Sequence, residues 1–336
     1  MNDAAETSWA APDQAPEARP GRSDEDIASW EALTERVARV AGQHGWSKAE
    51  VARRSGMPEG TFSQWYSGKY AGRLDAQNAK MSAWLEAVDE MQSVAATIPE
   101  PPGFVVTRSG RDVIETLTFA QMMPDFVVIT LAAGMGKTAA CRHYVRSRPN
   151  AFLVTMSPHT KTVHGMLVEL SAALDIMQHN PAKLSRAIGQ RLRRTGSGSL
   201  LIVDEAQNLK DDAVDQLRHL VDIYECGVAL VGNEEIYSRF QRSDDGPSYA
   251  QIRRRIGKRL RRRKPRPEDI AAILDAWKIE DPGARKFLTG IGNKPGALGQ
   301  IDKTLRLGFM LAAGAGQPLN VDHLKAAWSN RDVEGV

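Results

Sequence analysis

The chain has 336 residues, enough for two or three domains with cores of their own, and an ordinary soluble composition with 42% hydrophobic and 25% charged residues. A formal net charge of +3 excludes a whole-molecule field as the source of affinity for an acidic polymer, which has to come from local clusters. Two cysteines, Cys141 and Cys226, exclude a disulfide framework and a CxxC metal site, and no apolar run is long enough to span a bilayer, so a cytoplasmic protein with no membrane contact is expected.

Residues 1–23 are rich in Ala, Pro, Glu and Gln with Trp9 as the one aromatic, which predicts a disordered arm. From residue 24 to 95 the apolar spacing turns helical, as in Trp30, Leu33, Val37 and Val40. Within it, "WSKAEVARRSGMPEGTFSQWYSGKYAG" reads as a helix-turn-helix: Ser47 caps a first helix, Gly56 makes the turn, Pro58 begins a second helix, and Phe62 and Trp65 face inward. Glu59, Thr61, Ser63 and Gln64 on that second helix would face the major groove of duplex DNA, with Lys69 and Arg73 near phosphates. A helical bundle used for protein contacts is the alternative, since the second helix carries few base-reading arginines. Prolines crowd "ATIPEPPGF", which predicts a linker over residues 96–106.

Over residues 107–264 strands alternate with helices. Asp125–Thr130, Ala151–Met156, Ser199–Asp204 and Gly227–Gly232 are short, β-branched and nearly uniformly apolar, as strands buried on both faces of a parallel sheet are. Amphipathic helices fit between them at Lys137–Ser147, Val163–Leu174, Pro181–Arg194 and Asp211–Tyr224. The expectation is an α/β, three-layer domain.

"LAAGMGKTAAC", Leu131 to Cys141, joins the first of these strands to a helix. A Gly-rich turn at a helix N-terminus converges backbone N–H groups on a phosphate, and the helix dipole favours negative charge there. Gly134, Met135, Gly136, Lys137, Thr138 and Ala139 are therefore the candidate contacts to ATP, with Lys137 on the β- and γ-phosphates and the Thr138 hydroxyl on Mg²⁺. Leu131 stands where the pattern G-x-x-x-x-G-K-[ST] has glycine. A side chain is tolerated there if the strand exit needs no positive φ.

"SLLIVDEAQ" ends an apolar strand in two carboxylates. Asp204 can serve Mg²⁺ beside Thr138, and Glu205 can polarise a water for attack on the γ-phosphate; a helix cap by Asp204 is the alternative. Asn233, at the end of "GVALVGN", can orient that water or cap a turn. In "SPHTKT", His159, Thr160 and Lys161 are candidate contacts to DNA phosphates, or a polar loop with Thr160 or Thr162 as an N-cap. The basic run "QIRRRIGKRLRRRK", Gln251 to Lys264, reads either as a solvated face or as the source of an arginine reaching a neighbouring subunit's γ-phosphate, Arg255 first and Arg254 next. After "KPRP" helical patterns return at Glu268–Trp277, Ala297–Ala312 and Val321–Trp328, a C-terminal helical subdomain over residues 265–336. His143, His164, His179 and His219 are scattered and build no catalytic constellation.

The order of Lys137 and Thr138, Asp204 and Glu205, Asn233, an arginine near 255 and a helical lid resembles the AAA+ ATPases. More narrowly, "AAGMGKTAACRHY", "LLIVDEAQNL" and "VALVGNEEIYSRF" resemble the Mu B family of ATP-dependent target-DNA activators of transposition, over residues 24 to 331. The resemblance implies an AAA+ P-loop domain between a helix-turn-helix domain and a helical lid. It also implies a homo-oligomer that forms a helical filament on double-stranded DNA with weak sequence preference and presents it to a transposase. In "GNKPGAL", Gly296 occupies the place where many such lids carry a sensor arginine, so either the lid does not sense the γ-phosphate or that role falls to Lys294. An ATP-switched helix-turn-helix transcriptional regulator and a replication loader are the competing functions.

Overall fold

Ser23 accepts from the main-chain N–H of Asp26 and the Asp26 carboxylate returns a bond to Ser23, a reciprocal cap that starts the first helix, α1 (Asp24–His44). The computed structural model describes residues 9–12, 14–17, 22–97, 99–178, 180–194, 198–236 and 254–331. The chain divides into two units, Met1–Pro99 and Glu100–Val336.

In the first unit α1 is followed by α2 (Lys48–Ser55), α3 (Glu59–Tyr66) and α4 (Leu74–Thr97). Ser47 caps α2 by accepting from Glu50 N, and Gly56 ends it at φ +66°, the left-handed turn that lets α3 cross α2. Pro58 holds the cap position just before α3. Trp30, Val37, Val51, Ala52, Phe62, Trp65, Met81 and Leu85 share one core, so the apolar spacing read from the sequence is the packed face. Residues 9–12 and 14–17, expected in a disordered arm, are instead laid on this core. Trp9 donates from Nε1 to Trp46 O at 3.2 Å and stands edge-on to Tyr66 at 5.2 Å, while the Tyr66 hydroxyl donates to Ala10 O at 3.1 Å. A single tryptophan anchors the arm because aromatic edges and a main-chain acceptor are already in place to receive it. Residues 1–8, 13 and 18–21 of that arm lie outside the described residues.

The second unit opens with α5 (Arg108–Met122), capped by Thr107. It continues through β1 (Phe126–Leu131), α6 (Lys137–Ser147), β2 (Ala151–Thr155), α7 (Val163–Ala173), α8 (Pro181–Arg194), β3 (Leu200–Asp204), α9 (Asp211–Tyr224), β4 (Gly227–Gly232) and β5 (Ile256–Arg262). Among the described residues all strand pairings are parallel, and the strand order is β2-β3-β4-β1-β5. One face of the sheet packs against α7, α8 and α9 through residues such as Leu170, Ile188 and Leu217. Residues of α5 and α6, including Val113, Leu117, Ala140 and Tyr144, pack on the other face. The result is the expected three-layer α/β domain.

β5 was hidden inside the basic run. Only Ile256 and Leu260 alternate as apolar positions in "IGKRLRR", and the strand lies at the sheet edge, where charge is tolerated and discourages further pairing. Its long side chains lie along the protein surface, with Lys258 Nζ 5.9 Å from the Phe119 ring. Gln251 to Arg253 of that run lie outside the described residues. Beyond β5 come α10 (Pro267–Ala276), α11 (Pro282–Gly292), α12 (Ala297–Gly314) and α13 (Val321–Ser329), with a separate core around Leu274, Leu288, Ile301, Leu305 and Leu324. Among the described residues no helix is long and apolar enough to cross a membrane.

Candidate nucleotide site

β1 is buried along its whole length and delivers the chain to the glycine turn at the C-terminal edge of the sheet. Leu131 is 1% exposed and belongs to the core with Met135, Ala140 and Ala297. It is still paired as a strand residue, with Arg262 of β5, so no positive φ is asked of it and its side chain fills space. The positive φ values fall later, at Gly134 (+74°) and Gly136 (+80°), where only glycine adopts them without strain. Gly136 leads into α6, placing Lys137, Thr138 and Ala139 in its first turn. Lys137 is 9% exposed and donates from Nζ to Leu131 O at 2.8 Å and Ala132 O at 3.2 Å. Burial holds its ammonium below the usual lysine value, opposed by the charges of Glu205 and Asp204.

β3 stands two strands from β1, with β4 between them. The fully buried Asp204 accepts from the Thr138 hydroxyl through Oδ2 at 2.6 Å, and its Oδ1 accepts from Glu205 N at 2.9 Å. A serine-type hydroxyl and a carboxylate converging at the end of a buried strand form the hard-oxygen pair that suits Mg²⁺. Glu205 is half-buried and bends away at φ +54°, a left-handed conformation unusual for a side chain of its size. A short 3₁₀ turn, Ala206–Asn208, follows, and Asn208 Nδ2 ties it to Met156 O at 3.1 Å. Gln207 in this turn donates from Nε2 to Glu205 Oε2, and its Oε1 accepts from Asn233 N at 3.3 Å. Asn233 itself accepts from Glu235 N at 2.9 Å, so its Oδ1 caps the turn after β4.

These groups line one cleft of about 550 Å³. Its polar end carries Lys137, Thr138, Glu205, Gln207 and Asn233, and its apolar walls come from Phe104, Val105, Ile273 and Trp277. The sequence pattern missed both walls. Phe104 and Val105 fall in the stretch read as a linker, where the apolar run just after the prolines was the available signal, and Ile273 and Trp277 belong to lid helix α10 and its C-terminus. The lid closes on the loop at Gly296, φ +87°, the left-handed residue before α12. Its carbonyl sits against Gly134, and Gly299 N donates to Gly134 O at 2.9 Å. Of the two alternatives for the lid, the structure gives no support to Lys294: its ammonium lies 5.2 Å from the Trp328 ring inside the lid, and it does not line the cleft.

Arg255 lies at the start of β5, the sheet end opposite the glycine turn, and pairs with Asp222 at 2.7 Å; Arg254 beside it is exposed. In the first unit Ser63, Gln64, Lys69 and Arg73 are exposed and Thr61 is half-buried. Arg73 pairs with Asp75 at 2.6 Å. In the loop after β2, His159 and Lys161 are exposed, whereas the Thr160 hydroxyl accepts from Ser157 N at 2.9 Å and is occupied in shaping the turn. Thr162, not Thr160, caps α7. His143 stacks on Phe104 at 4.3 Å, and His179 lies outside the described residues.

A parallel sheet with a glycine turn before a lysine-threonine helix start, an acidic pair two strands away and a helical lid define a P-loop ATPase of the AAA+ class, and the family model described as "AAA domain" matches residues 121–240. The model described as "Mu B transposition protein, C terminal" matches residues 254–330. The "ATP-dependent target DNA activator B" of Escherichia phage D108 and that of Escherichia phage Mu are each 33% identical to this chain over 287 residues, covering 85% of this chain and 90% of the relative. The "Mu-like prophage FluMu DNA transposition protein B" of Haemophilus influenzae is 32% identical over 265 residues, 77% of this chain and 90% of the relative. The chain belongs to the Mu B transposition protein family.

Proposed function

We propose that this ATPase engages target DNA in an ATP-dependent manner, delivers it to a transposase and so stimulates transposition. The observation that carries the reading is the 2.6 Å contact between Thr138 and Asp204 with Glu205 beside it, in a chain similar over most of its length to proteins named target DNA activators. The relatives' names give no support to the regulator or replication-loader readings.

Gly134, Met135, Gly136, Lys137, Thr138 and Ala139 wrap the triphosphate, and Lys137 exchanges its two carbonyl acceptors for phosphate oxygens. Thr138 and Asp204 would hold Mg²⁺, which supplies neutralisation of charge on the β- and γ-phosphate oxygens. Glu205 accepts the proton of the attacking water, and Asn233 helps orient it. Arg255, or Arg254 next to it, serves a neighbouring chain's γ-phosphate in a homo-oligomer, since it stands at the sheet end far from its own chain's glycine turn. Thr61, Ser63, Gln64, Lys69 and Arg73 of the helix-turn-helix unit, with His159 and Lys161, contact duplex DNA with weak sequence preference. Thr160 shapes the second of these surfaces.

Sedimentation with long duplex DNA tests the proposal. Nucleotide-dependent co-sedimentation as a filament is expected, and DNA association that is indifferent to ATP would overturn it. Selection from random DNA adds a second check: a flat profile is expected, and a sharp consensus would point to an operator-reading regulator instead.

A further inference from the structure

Glu205 needs more than proximity to act as a base, because a carboxylate on a flexible side chain samples orientations that miss the water line, and a displacement near 1 Å can cost about a hundredfold in rate. Its neighbours supply the constraint. The Gln207 amide lies between an acceptor and a donor: Nε2 donates to Glu205 Oε2 and Oε1 accepts from Asn233 N at 3.3 Å. A carboxylate offers only acceptors and a main-chain N–H only a donor, so the two partners fix which way the amide points. Gln207 in turn sits on a 3₁₀ turn anchored through Asn208 to Met156, the residue after β2, and to the core through Leu209, 1% exposed. Glycine at 232 leaves room for this link, since a Cβ there would run into Gln207 Oε1 and Ile236 Cδ1.

We infer that Gln207 is the positioning residue of the hydrolytic site, fixing the Glu205 carboxylate and tying it to the end of β4 at Asn233. A change at the Asn233 edge of the cleft is thereby passed to Glu205 through one amide. The inference rests on the ATPase reading and deepens it.

Isosteric Q207E keeps the size of the side chain but sets a carboxylate against Glu205, and Q207A removes the link altogether. Both are expected to lower kcat about tenfold or more while KM for ATP stays within about twofold and the thermal midpoint is unchanged. In an E205Q background, adding Q207E is expected to leave the residual single-turnover rate within about twofold, because the two residues act as one unit. Wild-type-like turnover in Q207E, a loss carried by KM, or a full multiplicative loss in the double variant would each overturn the assignment. A wild-type protein that fails to bind or hydrolyse ATP would sink the ATPase reading as well, which separates the two failures.

Discussion

Gly299 N donates to Gly134 O at 2.9 Å, so the start of lid helix α12 rests backbone on backbone against the phosphate loop. A side chain at Gly134 would collide with the Gly296 carbonyl, whereas one at Gly136 meets nothing within 4 Å. Both residues have positive φ, so each alanine variant carries backbone strain of about 1–2 kcal/mol. Only G134A also wedges the lid from the loop. G134A should therefore depress the thermal midpoint clearly more than G136A, measured by calorimetry without nucleotide. Equal midpoints would mean that the lid contact contributes nothing.

Binding and hydrolysis should separate between the two ends of the polar cleft. K137A removes the buried ammonium proposed to hold the triphosphate and should abolish ATP binding, read by titration calorimetry. E205Q keeps the shape of the site and the Thr138–Asp204 pair, so affinity should persist while turnover falls by about 10²–10⁴. Wild-type turnover in E205Q would remove Glu205 from the base role.

Much of this site was legible because its chemistry is local in sequence. The glycine turn and the acidic strand end each declare themselves in a few residues, and a buried strand such as "SLLIVD" reads plainly because both of its faces are apolar. The parts that escaped are those whose meaning is set by packing. β5 looks like a charged surface because, at the sheet edge, basic side chains spread their stems over apolar neighbours. Phe104 and Val105 look like linker because their surroundings are assembled by the fold: Phe104 packs on the core beneath α5 and α6 and stacks on His143, and both residues share the cleft with Ile273 and Trp277, more than 150 residues further on. Leu131 departs from the glycine pattern harmlessly, since its strand pairing fixes an extended backbone and its side chain has a core to enter.

The N-terminal helical unit depends on one buried amide. Asn78, 5% exposed, accepts from Trp65 Nε1 at 3.0 Å and donates to Asp26 O at 2.8 Å, joining α4 to both α3 and α1. N78A would leave the buried Trp65 indole N–H without a partner, a loss of about 1–3 kcal/mol, whereas Asp26 O keeps its place in the helical ladder of α1 and loses only a second donor. The expected outcome is a lowered midpoint for the transition of this unit in denaturant, with the ATPase rate unaffected. An unchanged midpoint would show that water replaces the amide at no cost.

Neither cysteine should react in the native protein. Burial pushes the Cys226 thiol up to about 12 and raises Cys141 beyond the range in which thiolate forms near neutrality. At pH 8 the thiolate fraction of each is negligible in the folded chain and rises on unfolding, when the pKa returns to its ordinary value. Iodoacetamide at pH 8 should therefore label neither residue until denaturant is added, read by mass spectrometry. Fast native labelling of Cys141, on the helix that begins at Lys137, would mean that the phosphate-loop helix opens on its own.

The lid is joined to the sheet domain by a buried carboxylate. Asp269 of α10 is fully buried and accepts from Ser109 N at 2.9 Å, Ser109 Oγ at 2.5 Å and Arg266 N at 3.0 Å. Its charge is thus balanced by three donors, one of which also starts α10. D269A would strand two main-chain N–H groups, whereas S109A removes only the hydroxyl donor and leaves the other two bonds in place. The first should cost about 3 kcal/mol or more and the second about 1 kcal/mol. Because α10 carries Ile273 into the apolar wall of the cleft, with Trp277 at its end, D269A should also weaken ATP binding by about tenfold without touching a phosphate contact. Stability is read by denaturant titration and affinity by calorimetry. A D269A protein that loses stability but binds ATP as tightly as the wild type would show that α10 holds its place over the cleft without this anchor.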